Sequence, residues 1–175
     1  MARYLAMLRG VNVGGKGLVP MAQLREALVE AGFNEVRTYI QSGNVLFKSD
    51  QTGELALAAK IVAIIQEHFQ LDVSVVVFSE NDWRNVIKNA PNWWGQDKKW
   101  RHNILVIIPP YNIKEVSITP KGTEKIAIED GVIYQSYPVT LAGNNAAHKL
   151  IGSPLYKQLT IRNYNTASKL LALLD

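Results

Sequence analysis

Residues 9–17 read Arg-Gly-Val-Asn-Val-Gly-Gly-Lys-Gly and gather two cations, one amide and four glycines into nine positions. Glycine lets backbone N–H groups come close to a ligand, and Arg9 and Lys16 supply positive charge, so the chemistry suggested is anion binding. A second polar cluster, Gln41-Ser42-Gly43-Asn44, offers two amides and a hydroxyl. A third, Thr160-Ile161-Arg162-Asn163-Tyr164-Asn165-Thr166, carries a guanidinium fork suited to an oxyanion. The expected ligand-binding set is therefore Arg9, Asn12, Gly14, Gly15, Lys16, Gln41, Ser42, Asn44 and Arg162. The same residues have plainer uses. Glycines let a ten-residue loop turn, and asparagines cap their neighbours.

Other motifs are weaker. Gly10, Gly15 and Lys16 fit G-x-x-x-x-G-K-[ST], but Gly17 replaces the hydroxyl residue that would hold magnesium, which argues against a nucleoside-triphosphatase loop. The third strand, Gly43-Asn44-Val45-Leu46-Phe47-Lys48, lacks the aromatics of an RNA-recognition sheet. Histidines 68, 102 and 148 have no metal-ligand spacing, so neither metal nor cofactor is expected. Glu124, Glu129 and Asp130 read as solvated hairpin residues rather than an acid/base pair. Ser42 is not in a nucleophile elbow, and no catalytic set stands out. All four tryptophans lie between residues 83 and 100, among Arg84, Lys88, Lys98, Lys99 and Arg101. Rings among cations can stack bases, and they also pack junctions between halves of a chain.

The elements that would position these groups follow from periodicity. Residues 3–9 form a strand apolar on both faces, and Pro20, placed at the first helical position with Val19 as N-cap, opens a helix ending before Gly32. Residues 35–41 and 45–48 make strands around the Ser42-Gly43-Asn44 turn, 53–69 a helix, and 73–78 a strand. The order βαββαβ is the split-βαβ pattern, which brings the end of the first strand, the start of the first helix and the 41–44 turn to one edge.

Residues 80–89 read as a helix and 90–102 as an irregular connector, followed by a strand at 104–108. A short helix is expected at 112–116. Strands at 124–129 and 132–137 flank the hairpin signal Asp130-Gly131. Partly helical chain at 143–159, a short strand at 159–162 and a helix at 165–174 complete the order. The expected fold is α+β, two ferredoxin-like halves with an extra C-terminal helix. The division is 1–79, connector 80–102, and 103–175; the alternative is one mixed sheet with helices on one side.

The segments Leu8-Arg9-Gly10-Val11-Asn12-Val13-Gly14-Gly15, Val19-Pro20-Met21, Thr38 to Val45 and Arg162 to Thr166 together resemble a bacterial family catalogued as domain of unknown function 1697. The resemblance implies two ferredoxin-like parts and no assigned reaction. Tyr164 stands where that family's pattern leads one to expect tryptophan.

Composition sets the outer bounds. At 47% hydrophobic the 175 residues can bury a core, and the absence of cysteine rules out disulfides and thiol nucleophiles. The net charge of +4 suits acidic partners without marking a polycation. The apolar stretch between Arg3 and Arg9 is too short for a membrane span, so a cytoplasmic protein is expected, with no membrane partner. The sequence thus favours a binding domain for a phosphate-bearing small molecule or a nucleic-acid backbone. The competing readings are an enzyme acting on a small anionic substrate and a protein-interaction module using the tryptophan segment.

Overall fold

The computed structural model describes residues 1–129 and 131–175, with Glu115 described by its backbone alone. The chain is mixed α/β and divides into two compact units, Met1–Arg84 with Leu170–Asp175, and Asn85–Lys169. Each holds a four-stranded antiparallel sheet, which replaces the single mixed sheet considered as an alternative.

In the first unit the strands are β1 (Ala2–Arg9), β2 (Asn34–Tyr39), β3 (Asn44–Ser49) and β4 (Ser74–Ser79), in spatial order β2-β3-β1-β4. Helices α1 (Met21–Glu30) and α2 (Glu54–Phe69) supply the crossovers. Alternation along β1 sends Tyr4, Ala6 and Leu8 to one face. There they join Val45 and Phe47 of β3, Leu24 and Leu28 of α1, and Leu57, Ile61 and Ile65 of α2 in one buried cluster. Each of the fully buried Leu and Ile side chains contributes roughly 2–3 kcal/mol of transfer free energy. Leu5 and Met7, on the opposite face, are equally buried, as expected of a strand apolar on both faces.

α1 stops where the chain turns left-handed at Gly32, φ 90°, and the Lys60 ammonium donates to the Ala31 carbonyl at that end. Its start differs from expectation. Pro20 is the N-cap rather than the first helical residue, at φ −61° and ψ 118°, and Val19 lies one position outside. Extended ψ at Pro20 is what lets the preceding loop depart from the helix axis.

Helix α3 (Glu80–Lys88) is capped by the Ser79 hydroxyl, which accepts the Asp82 N–H at 3.1 Å. The second unit contains β5 (Trp100–Ile107), β6 (Lys125–Glu129), β7 (Val132–Pro138) and β8 (Leu159–Asn163), in order β6-β7-β5-β8. Strand β5 begins at Trp100, so part of the connector expected to be irregular is sheet. Residues Ile113–Glu115 form a 3-10 turn where a short helix was expected. Asp130 of the Asp-Gly hairpin signal lies outside the described residues; Glu129 pairs with Val132 across it. One face of the sheet places Leu105, Ile107, Ile133 and Leu159 against Ala147 of α4 (Ala146–Lys149). The other face carries Ile104, Val106, Tyr134 and Arg162. Helix α5 (Tyr164–Leu174) closes the chain.

Candidate functional site

The glycine-rich loop is a miniature hairpin. Gly14 and Gly15 occupy its two central positions with φ 58° and 75°, the sign pattern of a type I′ turn. Lys16 N–H donates to the Val13 carbonyl at 3.1 Å, and Asn12 N–H donates to the Gly17 carbonyl at 2.9 Å. Gly17 has φ 60°, and a Cβ there would sit 2.6 Å from the Gly10 carbonyl oxygen, so the base of the hairpin also requires glycine. The backbone thus spends part of its donor capacity on itself, unlike a phosphate cradle that leaves a run of N–H groups open.

Asn12 ties the loop to its surroundings. Its side-chain N–H2 donates to the Gln41 carbonyl at 2.9 Å and the Val19 carbonyl at 3.0 Å, while its Oδ1 accepts the Val19 N–H at 2.9 Å. One amide therefore joins the hairpin, the 41–44 turn and the approach to α1. Asn12 sits at φ 55°, a left-handed conformation that asparagine tolerates better than most residues. A second tie is backbone: Leu8 N–H donates to the Gly43 carbonyl at 2.8 Å. Gly43 has φ 74° and lies so close to Val11 and Leu8 that a Cβ would meet their side chains at 2.6 and 2.8 Å. Loop and turn meet at one edge of the sheet, as topology predicts.

The chemistry of the edge is uneven. Lys16, Gly14, Gly15 and Gln41 are exposed, and Arg9 and Ser42 half-buried. Asn44 is buried, and its N–H2 donates to the Tyr39 carbonyl and the Ser42 hydroxyl. Asn12 and Asn44 thus use their amides within the protein, where the sequence had suggested ligand contacts. Val13, Leu18 and Ile40 expose their side chains beside Lys16 and Gln41. Ile40 does so at φ 50°, where a β-branched residue costs on the order of 1–2 kcal/mol. Neither 9–24 nor 36–49 contains an acidic residue, while exposed Asp72 lies two residues before Ser74, the partner of Arg9 across β1 and β4.

Arg162 belongs to the second unit. It is buried on β8, opposite Ile104, and donates to the Thr160 hydroxyl at 2.8 Å and the Ile161 carbonyl at 2.9 Å. Loss of hydration lowers its pKa to about 10.

Two features of the second unit were not legible along the chain. Glu124, read as a solvated hairpin residue, is buried. It accepts from the Ala146 and Lys121 backbone N–H groups and from the Gln135 amide. Gln135 also donates to Asn145, whose side chain caps α4 by accepting the His148 N–H. The carboxylate is thus a bracket for two loops, which the sequence hides because its partners are mostly backbone. The other feature is a histidine–serine contact: register places His102 opposite Ser136, with Nδ1 and Oγ 2.6 Å apart. His102 Nε2 lies 2.8 Å from the Asp97 carbonyl, an acceptor only, so Nε2 carries a proton, and in the neutral imidazole Nδ1 accepts from Ser136. That is the geometry of an activated hydroxyl, but Ser136 is only 1% exposed and offers no surface to a substrate.

The tryptophans divide by role. Trp83 and Trp94 are buried, the latter donating to the Asn103 carbonyl and standing edge-on to Tyr134 and Tyr164. Tyr164 in turn lies over Gly95, where a Cβ would be 2.2 Å from the ring. Trp93 and Trp100 are half-buried. Among the described residues no group of His, Asp and Glu is arranged to hold a metal, and no helix is long and apolar enough to cross a membrane.

The loop and turn just described lie inside a stretch, residues 1–134, that matches the family model described as "Protein of unknown function (DUF1697)". This chain belongs to that family. The match stops short of the 162–166 segment, so the sequence resemblance there rests on those residues alone. The solved structure of the conserved bacterial protein SP0830 from Streptococcus pneumoniae is similar throughout. It has a TM-score of 0.88 and 30% identity, covering 99% of each chain. No curated protein matches the chain.

Proposed function

We propose that the protein is a binding domain for a phosphate-bearing anion, seated on the 10–17 hairpin and the 41–44 turn of the first unit. The observation that carries this reading is the Asn12 clamp, which fixes an acid-free, cation-bearing hairpin against a second polar turn. Lys16 supplies the exposed charge, with Arg9 behind it. Gln41 and Ser42 orient the ligand, and the Gly14–Gly15 tip admits it closely because no side chain stands there. Asn12 and Asn44 act as positioning residues in this scheme. We also read the first unit as a ferredoxin-like fold, supported by its βαββαβ element order and antiparallel β2-β3-β1-β4 sheet, and the second as a variant with the equivalent order.

The test is a thermal-shift panel of inorganic phosphate, pyrophosphate and nucleotides on wild type and Lys16→Ala. A ligand at about a hundred times its dissociation constant stabilises by roughly 2.7 kcal/mol, or on the order of 5–10 °C here. A shift confined to wild type supports the site. Equal shifts in both proteins, or none in either, refute it.

A further inference from the structure

The Trp-Lys interleaving at residues 93–101 takes no part in the loop site, and of it the fold buries only Trp94 in the core. What remains outside that core is a compact surface of the second unit. Lys98, Lys99 and Arg101 are exposed on either side of half-buried Trp100, and Lys125 of β6 is exposed as well. The Lys125 ammonium stands 5.4 Å from the centre of the Trp100 ring. Register explains the approach: Lys125 pairs with Ser136, Ser136 with His102, and His102 shares a strand face with Trp100. The cations still outnumber the acids nearby: Lys98, Lys99, Arg101 and Lys125 face exposed Asp97, whose carboxylate accepts the Lys99 backbone N–H, and buried Glu124, while Glu129 lies at the far end of β6.

The backbone that carries the ring is tied at both sides. The Trp100 backbone N–H donates to the Asp97 carbonyl at 3.0 Å, and Trp100 opens the central strand β5 opposite Pro138. The Lys99 carbonyl accepts the Val139 N–H. A half-buried indole among exposed cations is an arrangement that recognises an unpaired base beside its phosphates. The indole takes the base by stacking, and the ammonium groups pair with the backbone. An acidic peptide would match the charge but would leave the indole face without a role.

We propose that this surface binds single-stranded nucleic acid, with Trp100 as the stacking ring, Lys98, Lys99 and Lys125 as phosphate contacts, and Arg101 extending the positive field. It is independent of the hairpin site of the first unit.

The experiment is a titration of the full chain with a dye-labelled oligothymidylate and an oligouridylate, read by anisotropy and by tryptophan emission. Binding is expected to quench part of the emission. With three phosphate contacts it should weaken roughly 20-fold between about 50 and 200 mM salt. Trp100→Leu should abolish the quench and weaken binding by about tenfold. The double variant Lys98→Glu, Lys125→Glu should weaken it at least as much, with circular dichroism and melting confirming that both variants are folded. No binding at low salt overturns the proposal. So does undiminished affinity in Trp100→Leu together with equal competition by heparin, which would mean charge attraction without base recognition. Binding lost in Lys16→Ala but kept in the double variant would place nucleic acid at the hairpin and also overturn it.

Discussion

Replacing Asn12 by alanine would test whether one side chain holds the candidate site together. Three hydrogen bonds vanish, to the Val19 carbonyl, the Gln41 carbonyl and the Val19 N–H. At about 1 kcal/mol each, their net loss is about 3 kcal/mol. Val19 is wholly buried, so its stranded N–H adds roughly 1 kcal/mol or more. The left-handed φ of 55° adds a further 1 kcal/mol or so, because alanine lacks the local polar compensation of asparagine. The sum is about 4–5 kcal/mol, which for a chain this size lowers the melting temperature by roughly 10–20 °C. Asn12→Gly separates the terms, since it loses the bonds but not the backbone freedom and should fall about 1 kcal/mol short of alanine's cost. Asn12→Asp keeps the acceptor for Val19 N–H and sets a carboxylate against two carbonyls, so at neutral pH it should be at least as damaging as alanine. Urea unfolding followed by circular dichroism reads all three. A cost below about 1 kcal/mol for Asn12→Ala would refute the clamp, and with it the reason for treating loop and turn as one site.

Three further outcomes follow from other residues. Gly43→Ala forces a Cβ to within 2.6 Å of the Val11 side chain and should cost more than about 2 kcal/mol, whereas Gly15→Ala meets open space and should cost only about 1 kcal/mol of backbone strain; equal melting temperatures would refute the distinction. Glu124→Gln turns an N–H2 toward the backbone donors of Ala146 or Lys121 and should destabilise by roughly 2–4 kcal/mol; a neutral result would mean that Glu124 is not the bracket described. Arg162, its folded pKa lowered to about 10, makes burial of its cation unfavourable at all pH values below that. Wild type should therefore gain on Arg162→Met as pH rises through 10, by roughly 1 kcal/mol near pH 11, with a flat difference from pH 5 to 9. Urea titrations at pH 7, 9 and 10.5–11 check the sign, and a difference that does not move would show that the guanidinium keeps its ordinary pKa.

Much of this was legible because it is local. Strand β1 announces itself by its apolar run, α1 by the spacing of Met21, Leu24 and Leu28 before Gly32, and the loop by its glycines. Topology then brings loop and turn to one edge, since a right-handed crossover leaves few alternatives. Trp100 was harder. Between Pro91 and Lys99 nothing marks the start of a strand, and only pairing with Pro138 makes it one.

By itself the sequence determined which segments are helix and which are strand in the first unit, that the chain has no thiol chemistry, and that residues 9–17 and 41–44 share an edge. Those properties depend on neighbours a few residues apart or on chain handedness. Only the tertiary structure decided what the polar side chains do there. Whether an asparagine faces a ligand or a carbonyl depends on atoms 29 residues away, as Asn12 and Gln41 show. Whether a glutamate is solvated or bracketed depends on where a distant helix begins, as with Glu124 and Ala146. Hydrogen bonds act over about 3 Å in space and carry no signature in sequence distance.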